Sequence, residues 1–362
     1  MPPAQLRGSV LILILFDVCE EIRLEELRRI LGAEPARREP SFKHPAPEYV
    51  RFENPPVEEA MEKVILATGE ELEGRLKYYD YGVLSVEFKL AFQGNWEKLV
   101  ALSSRYVAGL EIERQAAFLA RQMLKRVNSA LIKPYEHWLN EDYYVFHVQE
   151  IEGHPSAPEL LRDCGEQIAQ VVRGEDAQLS DGERREILQY SMSYSPGDLV
   201  VAGWNAAFVY DTAEGATTTI QLLEYANSQL LEFRHYDDVL TRELREVYHS
   251  LEKGTGFLAR WRLARASARL HTLLLDVTEL TERADNAIKF LSDMFSARLY
   301  RLAAGKVGVE DYKNLVKQKL DTAENLYRFM VEQFHQGRAF VLELMVVIIL
   351  IIDLVFLFRG KG

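Results

Sequence analysis

Near the C-terminus, residues Ala339–Phe358 read AFVLELMVVIILIIDLVFLF, and a run this apolar restricts what the rest of the chain can be. At about 1.5 Å per residue it measures roughly 30 Å, the thickness of a hydrocarbon core. A core helix rarely runs so long without a polar face, and Arg359 and Lys361 follow it as snorkelling ends. The run predicts a single C-terminal transmembrane helix, inserted as a tail anchor. Arg338 lies on one side of it and Arg359 and Lys361 on the other, so flanking charge does not orient it. Orientation rests on the N-terminus. There Val10–Phe16 is apolar, but Asp17, Glu20 and Glu21 follow and no small-residue cleavage site appears, which reads as a buried strand rather than an export signal. The expected location is the bacterial inner (cytoplasmic) membrane, single-pass, with the N-terminal part in the cytoplasm.

Glu343 and Asp353 interrupt the run. An acid in mid-bilayer costs on the order of 2.5–3.5 kcal/mol on insertion scales. Either the two carboxyls reach the two headgroup layers or they face partner helices in an oligomer. Ten residues apart, they lie about 15 Å apart along a helix and about 80° around it, so they cannot pair with each other. Glu343 and Asp353 are therefore candidate oligomer contacts.

The net charge of −12 argues against nucleic acid binding by the bulk surface, since phosphate needs a basic one. Cys19 and Cys164 are too few and too far apart for a disulfide framework or a metal spacing. Patterning predicts an α+β fold. Gly8–Phe16 reads as a strand, Glu21–Leu31 as a helix, Glu73–Phe92 as containing a strand, Asn95 as the cap of a helix from Trp96 to about Val127, and Tyr143–Gln149 as a strand. The order β-α-β-β-α-β predicts a ferredoxin-like domain over 1–150. Residues 151–213 read as a strand-containing connecting lobe, with a buried strand at Leu199–Tyr210.

From 214 to 338 the pattern is helical: Glu214–Lys253, Phe257–Ala304, and a third helix from Val309 that runs into the apolar segment. In the third, Tyr312, Val316, Leu320, Ala323, Tyr327, Met330 and Phe334 alternate steps of four and three, a coiled-coil seam. The second and third helices are expected to fold as an antiparallel hairpin about Gly305–Gly308. Folding there sets Leu274 level with Arg338 and brings Arg260, Trp261, Arg262, Arg265 and Arg269 to the expected membrane surface. A basic amphipathic stretch with a Trp fits lipid headgroups or an acidic partner; a solvated or intramolecularly salt-bridged face is the competing reading.

Catalytic motifs are missing: no Walker A loop, no G-x-G-x-x-G, no H-E-x-x-H and no G-x-S-x-G. Glu-x-x-His occurs at Glu232/His235, Glu246/His249 and Glu332/His335, the spacing used by di-iron bundles. The first two pairs are about 21 Å apart on one helix and cannot share a site. His137, His147 and His154 lack ligand spacing, and Glu224, Asp237, Asp238 and Glu243 read as a solvated helical face. Neither a metal nor a cofactor is expected.

The span with its two acids ten residues apart (LELMVV and IIDLVF), the helical hairpin before it, and Tyr78–Phe88 (YYDYGVLSVEF) together resemble the YagE-like family of membrane-anchored proteins. That family's eukaryotic relatives include a mitochondrial protein of sporulation and meiotic nuclear division. The resemblance implies homo-oligomerisation and a scaffold or tether on the cytoplasmic face, with a ribosome or other protein as partner. The expected function is thus a non-enzymatic, membrane-anchored homo-oligomeric scaffold. The alternatives are a subunit of a CorA-like channel and a metal-dependent enzyme built on the Glu-x-x-His helices.

Overall fold

The computed structural model describes residues 5–32, 55–65, 69–107, 109, 111–252, 265, 268–275, 277–278 and 294–359; side chains are described within these except at 111, 250–252, 331–344 and 353–359. The chain forms two compact units, one of Met1–His235 with Glu282–Lys313 and the other of Tyr236–Thr281 with Asn314–Gly362.

The first unit is built on β1 (Leu6–Ile22), whose LILILF run is apolar at both alternations and is buried on both faces. Helix α1 (Leu24–Leu31) follows, closed by Gly32 in the left-handed conformation. Strands β2 (Val57–Ile65), β3 (Glu71–Tyr78) and β4 (Val83–Gly94) form a meander. Helices α2 (Trp96–Val107) and α3 (Glu111–Arg126) lead into β5 (Leu131–Ile151). Helices α4 (Ala157–Asp163), α5 (Gly165–Arg173) and α6 (Asp181–Leu188) precede β6 (Ser191–Met192), β7 (Leu199–Ala202) and β8 (Ala206–Tyr210). The eight strands form one mixed sheet in the order β2-β3-β4-β1-β5-β8-β7-β6. β5 and β8 run parallel; the other neighbours are antiparallel.

This sheet corrects the ferredoxin-like expectation. Such a unit needs its first helix to carry the chain back along the sheet, so that the next strand runs parallel to the first. Here α1 is only 8 residues and the strand after it, β2, runs antiparallel to β1. β2 escapes sequence reading because it is an edge strand carrying Glu58, Glu59, Glu62 and Lys63, the charged dress that keeps edges from pairing. The sheet also continues past residue 150, through β8 against β5. Leu199–Tyr210 is a hairpin rather than one strand, turning where the Gly203 N–H donates to the Ala206 carbonyl. The helix expected from Trp96 to Val127 is two helices, with Gly109 between them.

Residues Tyr79–Gly82 turn the chain between β3 and β4 and dock on the end of β1, where Val18 N–H donates to the Gly82 carbonyl and Ile22 N–H to that of Asp80. Gly82 has φ +92°, and a Cβ there would lie 1.8 Å from the Cys19 carbonyl oxygen. Gly82→Ala is therefore expected to cost about 1–3 kcal/mol, read as a lower urea midpoint; an unchanged midpoint would mean the turn moves freely.

One face of the sheet carries Val10, Ile12, Ile14 and Phe16 with Phe88, Phe146 and Phe208, packed with Trp96, Leu99, Ala116, Ala120 and Ile168 from α2, α3 and α5. Helix α7 (Ala216–Glu252) lies on the other face, where every residue from Leu222 to Phe233 is buried. Helix α8 (Met294–Val307) also belongs to this unit: Tyr300 packs on Tyr225 and Phe295 on Tyr194.

In the second unit, the later part of α7, the helical stretch 268–275 and helix α9 (Val309–Arg359) meet around Leu244, Val247, Leu270, Ala323 and Met330. Among the described positions of the expected seam, Val316, Ala323 and Met330, seven residues apart, are buried. The hairpin register differs from expectation. His271 stacks on Tyr327 at 5.1 Å, whereas folding about residue 306 would set it level with 341.

Among the described residues no helix is long and apolar enough to cross a membrane. That finding overturns the transmembrane helix, the tail anchor, the membrane as partner and the single-pass inner-membrane location.

Candidate functional site

A buried cluster of charge lies where the sheet meets α7. β3 and β4 are paired so that Lys77 sits opposite Ser85, and Glu87 is two residues further along the same face of β4. All three project toward α7, which supplies Glu224. Lys77 Nζ is 2.9 Å from Glu87 and forms a still closer ion pair with Glu224; the side chains of Lys77 and Glu224 are 6% and 1% exposed. One turn further along α7, the Tyr81 hydroxyl lies 2.7 Å from Ser228 Oγ. Because Ser228 donates to the Tyr225 carbonyl, Tyr81 is the donor in that contact.

Burial works against the Lys77 ammonium, but Glu224 and Glu87 together raise its pKa. Burial alone would also raise the Glu87 carboxyl; the Lys77 charge and hydrogen bond outweigh it and hold Glu87 below its ordinary value. Glu224 goes the other way. Burial raises it, the Glu87 charge adds to the rise, and Lys77 and the Ser85 hydroxyl compensate only in part. The cluster is thus one ammonium shared by two carboxyls whose values shift in opposite directions.

The two acids therefore have opposite pH signatures. The folded value of Glu87 is depressed, so its contribution is present above about pH 4.3 and is lost as pH falls through the folded value. The folded value of Glu224 is raised, so its contribution is complete below about pH 4.3 and is lost as pH rises through the folded value. Relative to the native chain, the cost of Glu87→Gln is expected to grow with pH, and that of Glu224→Gln to shrink. Urea unfolding at a series of pH values reads both; parallel slopes would contradict the assignment.

A second cluster flanks the first on the same face. Asp17 Oδ2 on β1 is 2.6 Å from His235 Nδ1 on α7, and the Tyr135 ring stacks on the imidazole at 4.7 Å. Burial raises the Asp17 pKa, with His235 pulling it down. A carboxylate orienting a histidine is half of a nucleophilic site. The neighbouring thiol does not complete it, because burial pushes Cys19 up to about 12, and the charges of Asp17 and Glu232 add to the rise. Glu232, on the Glu-x-x-His spacing with His235, is buried here. Among the described residues no group of three or more His, Cys, Asp or Glu side chains could hold a metal ion. His147 is buried with Nε2 2.9 Å from the Asp211 carbonyl oxygen.

The sequence-predicted residues fall elsewhere. Arg265 and Arg269 are exposed on the helical backbone of the second unit, and Arg269 reaches Glu246 at 2.5 Å and Glu243 at 3.7 Å on α7. Arg269 is thus salt-bridged within the chain, and without the membrane span the placement of the stretch at lipid headgroups loses its basis. Arg260, Trp261 and Arg262 lie outside the described residues. Glu343 and Asp353 fall on the α9 backbone, but their side chains, like those of Glu332 and His335, lie outside the described ones. Glu224 is not on a solvated face. Its neighbours Leu222, Leu223, Tyr225 and Ala226 are also buried, so α7 is enclosed on every side there and helical periodicity gives no hint of which acid faces inward. The signal that could have found it is Lys77 with Glu87, two opposite charges within strands otherwise destined for burial.

The family model described as "Uncharacterized protein MJ0711, N-terminal domain" matches residues 7–217. The chain belongs to that family, and the match takes in all eight strands and ends in the first turn of α7. The uncharacterized protein MJ0711 of Methanocaldococcus jannaschii is 17% identical over 188 residues, 52% of this chain and 58% of the relative. The match therefore spans little more than half the length of that protein. No solved structure matches the chain. Nothing among these similarities points to the YagE-like family, so that resemblance and the roles it implied are withdrawn.

Proposed function

We propose that the protein is a non-catalytic, self-associating scaffold in which the end of α9 supplies the contact between copies. The observation that carries this reading is the row Met345–Ile352, eight consecutive apolar residues each 47–61% exposed. Two turns of helix that are apolar on all sides must be enclosed by something. Enclosure by copies of the same helix fits the register, because Ile351 falls three heptads on from the buried Met330 of the seam.

The charged clusters of the sheet unit favour a structural role over chemistry. Lys77, Glu87 and Glu224 neutralise one another behind α7 where no substrate reaches them, and the Cys19 thiol is far from a thiolate at neutral pH. Sedimentation equilibrium of the purified full chain tests the reading. The expected mass is a whole multiple of 41.6 kDa greater than one, and a monomer throughout the micromolar range overturns it.

A further inference from the structure

We infer that the outer face of α3 is a docking surface for an acidic helical segment of another protein. This rests on the sheet unit alone and stands whether or not the chain self-associates. Arg114, Phe118, Arg121 and Lys125 recur at steps of four, three and four, which places them on one side of the helix. All four are exposed, Phe118 at 61%, while Ile112, Ala116, Ala120 and Leu124 on the opposite side are buried.

Two features separate this stripe from an ordinary solvated face. The chain has 55 acids against 43 bases, and neighbouring cations use them: Arg105 pairs with Glu70 and Arg126 with Glu59. Among the described residues, Arg114, Arg121 and Lys125 pair with no carboxylate. The second feature is preorganisation. The Arg121 guanidinium lies over the Trp138 ring at 4.3 Å, and Trp138 is itself held by its indole N–H donating to the Tyr135 carbonyl. Stacking fixes the guanidinium plane and leaves its edge donors for a bidentate carboxylate.

The stripe extends over about 16 Å, three helical turns. A partner helix with carboxylates at i, i+7 and i+11 and an apolar residue at i+4 would meet all four side chains. A polyanion such as RNA fits less well. The net charge of −12 repels it, and the stripe offers one exposed ring, Phe118, rather than a series of stacking platforms.

The test uses the full chain and a fluorescein-labelled three-turn peptide with that Glu/Leu pattern, followed by anisotropy at low and at high salt. Expected is binding that weakens with salt, falls by about tenfold or more in the Arg114→Glu, Arg121→Glu, Lys125→Glu triple variant, and falls also in Phe118→Ala. Because these side chains are exposed, the variants should melt as the native chain does. No binding by the native chain, equal binding by the triple variant, or tighter binding of an oligouridylate than of the peptide overturns the inference.

Discussion

Replacing Lys77 with methionine is expected to destabilise the sheet unit by about 3–5 kcal/mol, the usual cost of removing one partner from a buried ion pair. The side chain is 6% exposed and is the cation shared by Glu87 and Glu224. Methionine fills much of the same volume, so the loss would come from charge rather than from a cavity. Glu87 and Glu224 would be left facing each other with 11% and 1% of their side chains exposed, and protonation would be their way to remain there. Replacing all three residues by Met, Leu and Leu removes the charges together and should recover most of the stability, since apolar packing commonly matches a buried ion pair. Urea unfolding followed by circular dichroism reads both variants. If Lys77→Met cost less than about 1 kcal/mol, the value of an exposed pair, the triad would not be the buried device described here.

The second large effect concerns association. Ile349→Lys, in the middle of Met345–Ile352, is expected to weaken assembly by about a hundredfold or more, some 2.8 kcal/mol at 1.4 kcal/mol per factor of ten. In an assembly of like helices every copy brings the same ammonium into the apolar contact, so the desolvation cost is repeated and like charges face each other. The residue is about half exposed in the single chain, and the substitution should leave the melting of the sheet unit unchanged. A loss of folding instead of a loss of mass would mean that this part of α9 packs within its own chain.

Much of this architecture is legible from local patterns. LILILF identifies the buried central strand, Asn95 caps α2 through the Lys98 N–H, and the seven-residue spacing of Val316, Ala323 and Met330 finds the seam. Non-local features are not legible in this way. Whether β2 is a strand depends on β3 beside it, since four of its nine residues are charged. Glu224 reads as solvated because helical periodicity assumes one wet face, and α7 has none at that level. The packing of α8 by the sheet has the same origin: Tyr300 and Phe295 find aromatic partners in distant segments. The apolar run Ala339–Phe358 is the strongest local signal, and its reading as a span fails for a related reason. Length and hydropathy record that a helix must be covered, not what covers it.

What encloses Met345–Ile352 is best tested by oxidative cross-linking of a Leu350→Cys variant in a Cys164→Ser background, with Cys19 buried and out of reach. Two copies meeting along α9 should yield a covalent dimer of twice 41.6 kDa under mild oxidation at micromolar concentration, and Ile349→Lys should suppress it. A chain that stays monomeric on the gel, with its introduced thiol fully reactive toward a small alkylating agent, would contradict self-association through this helix.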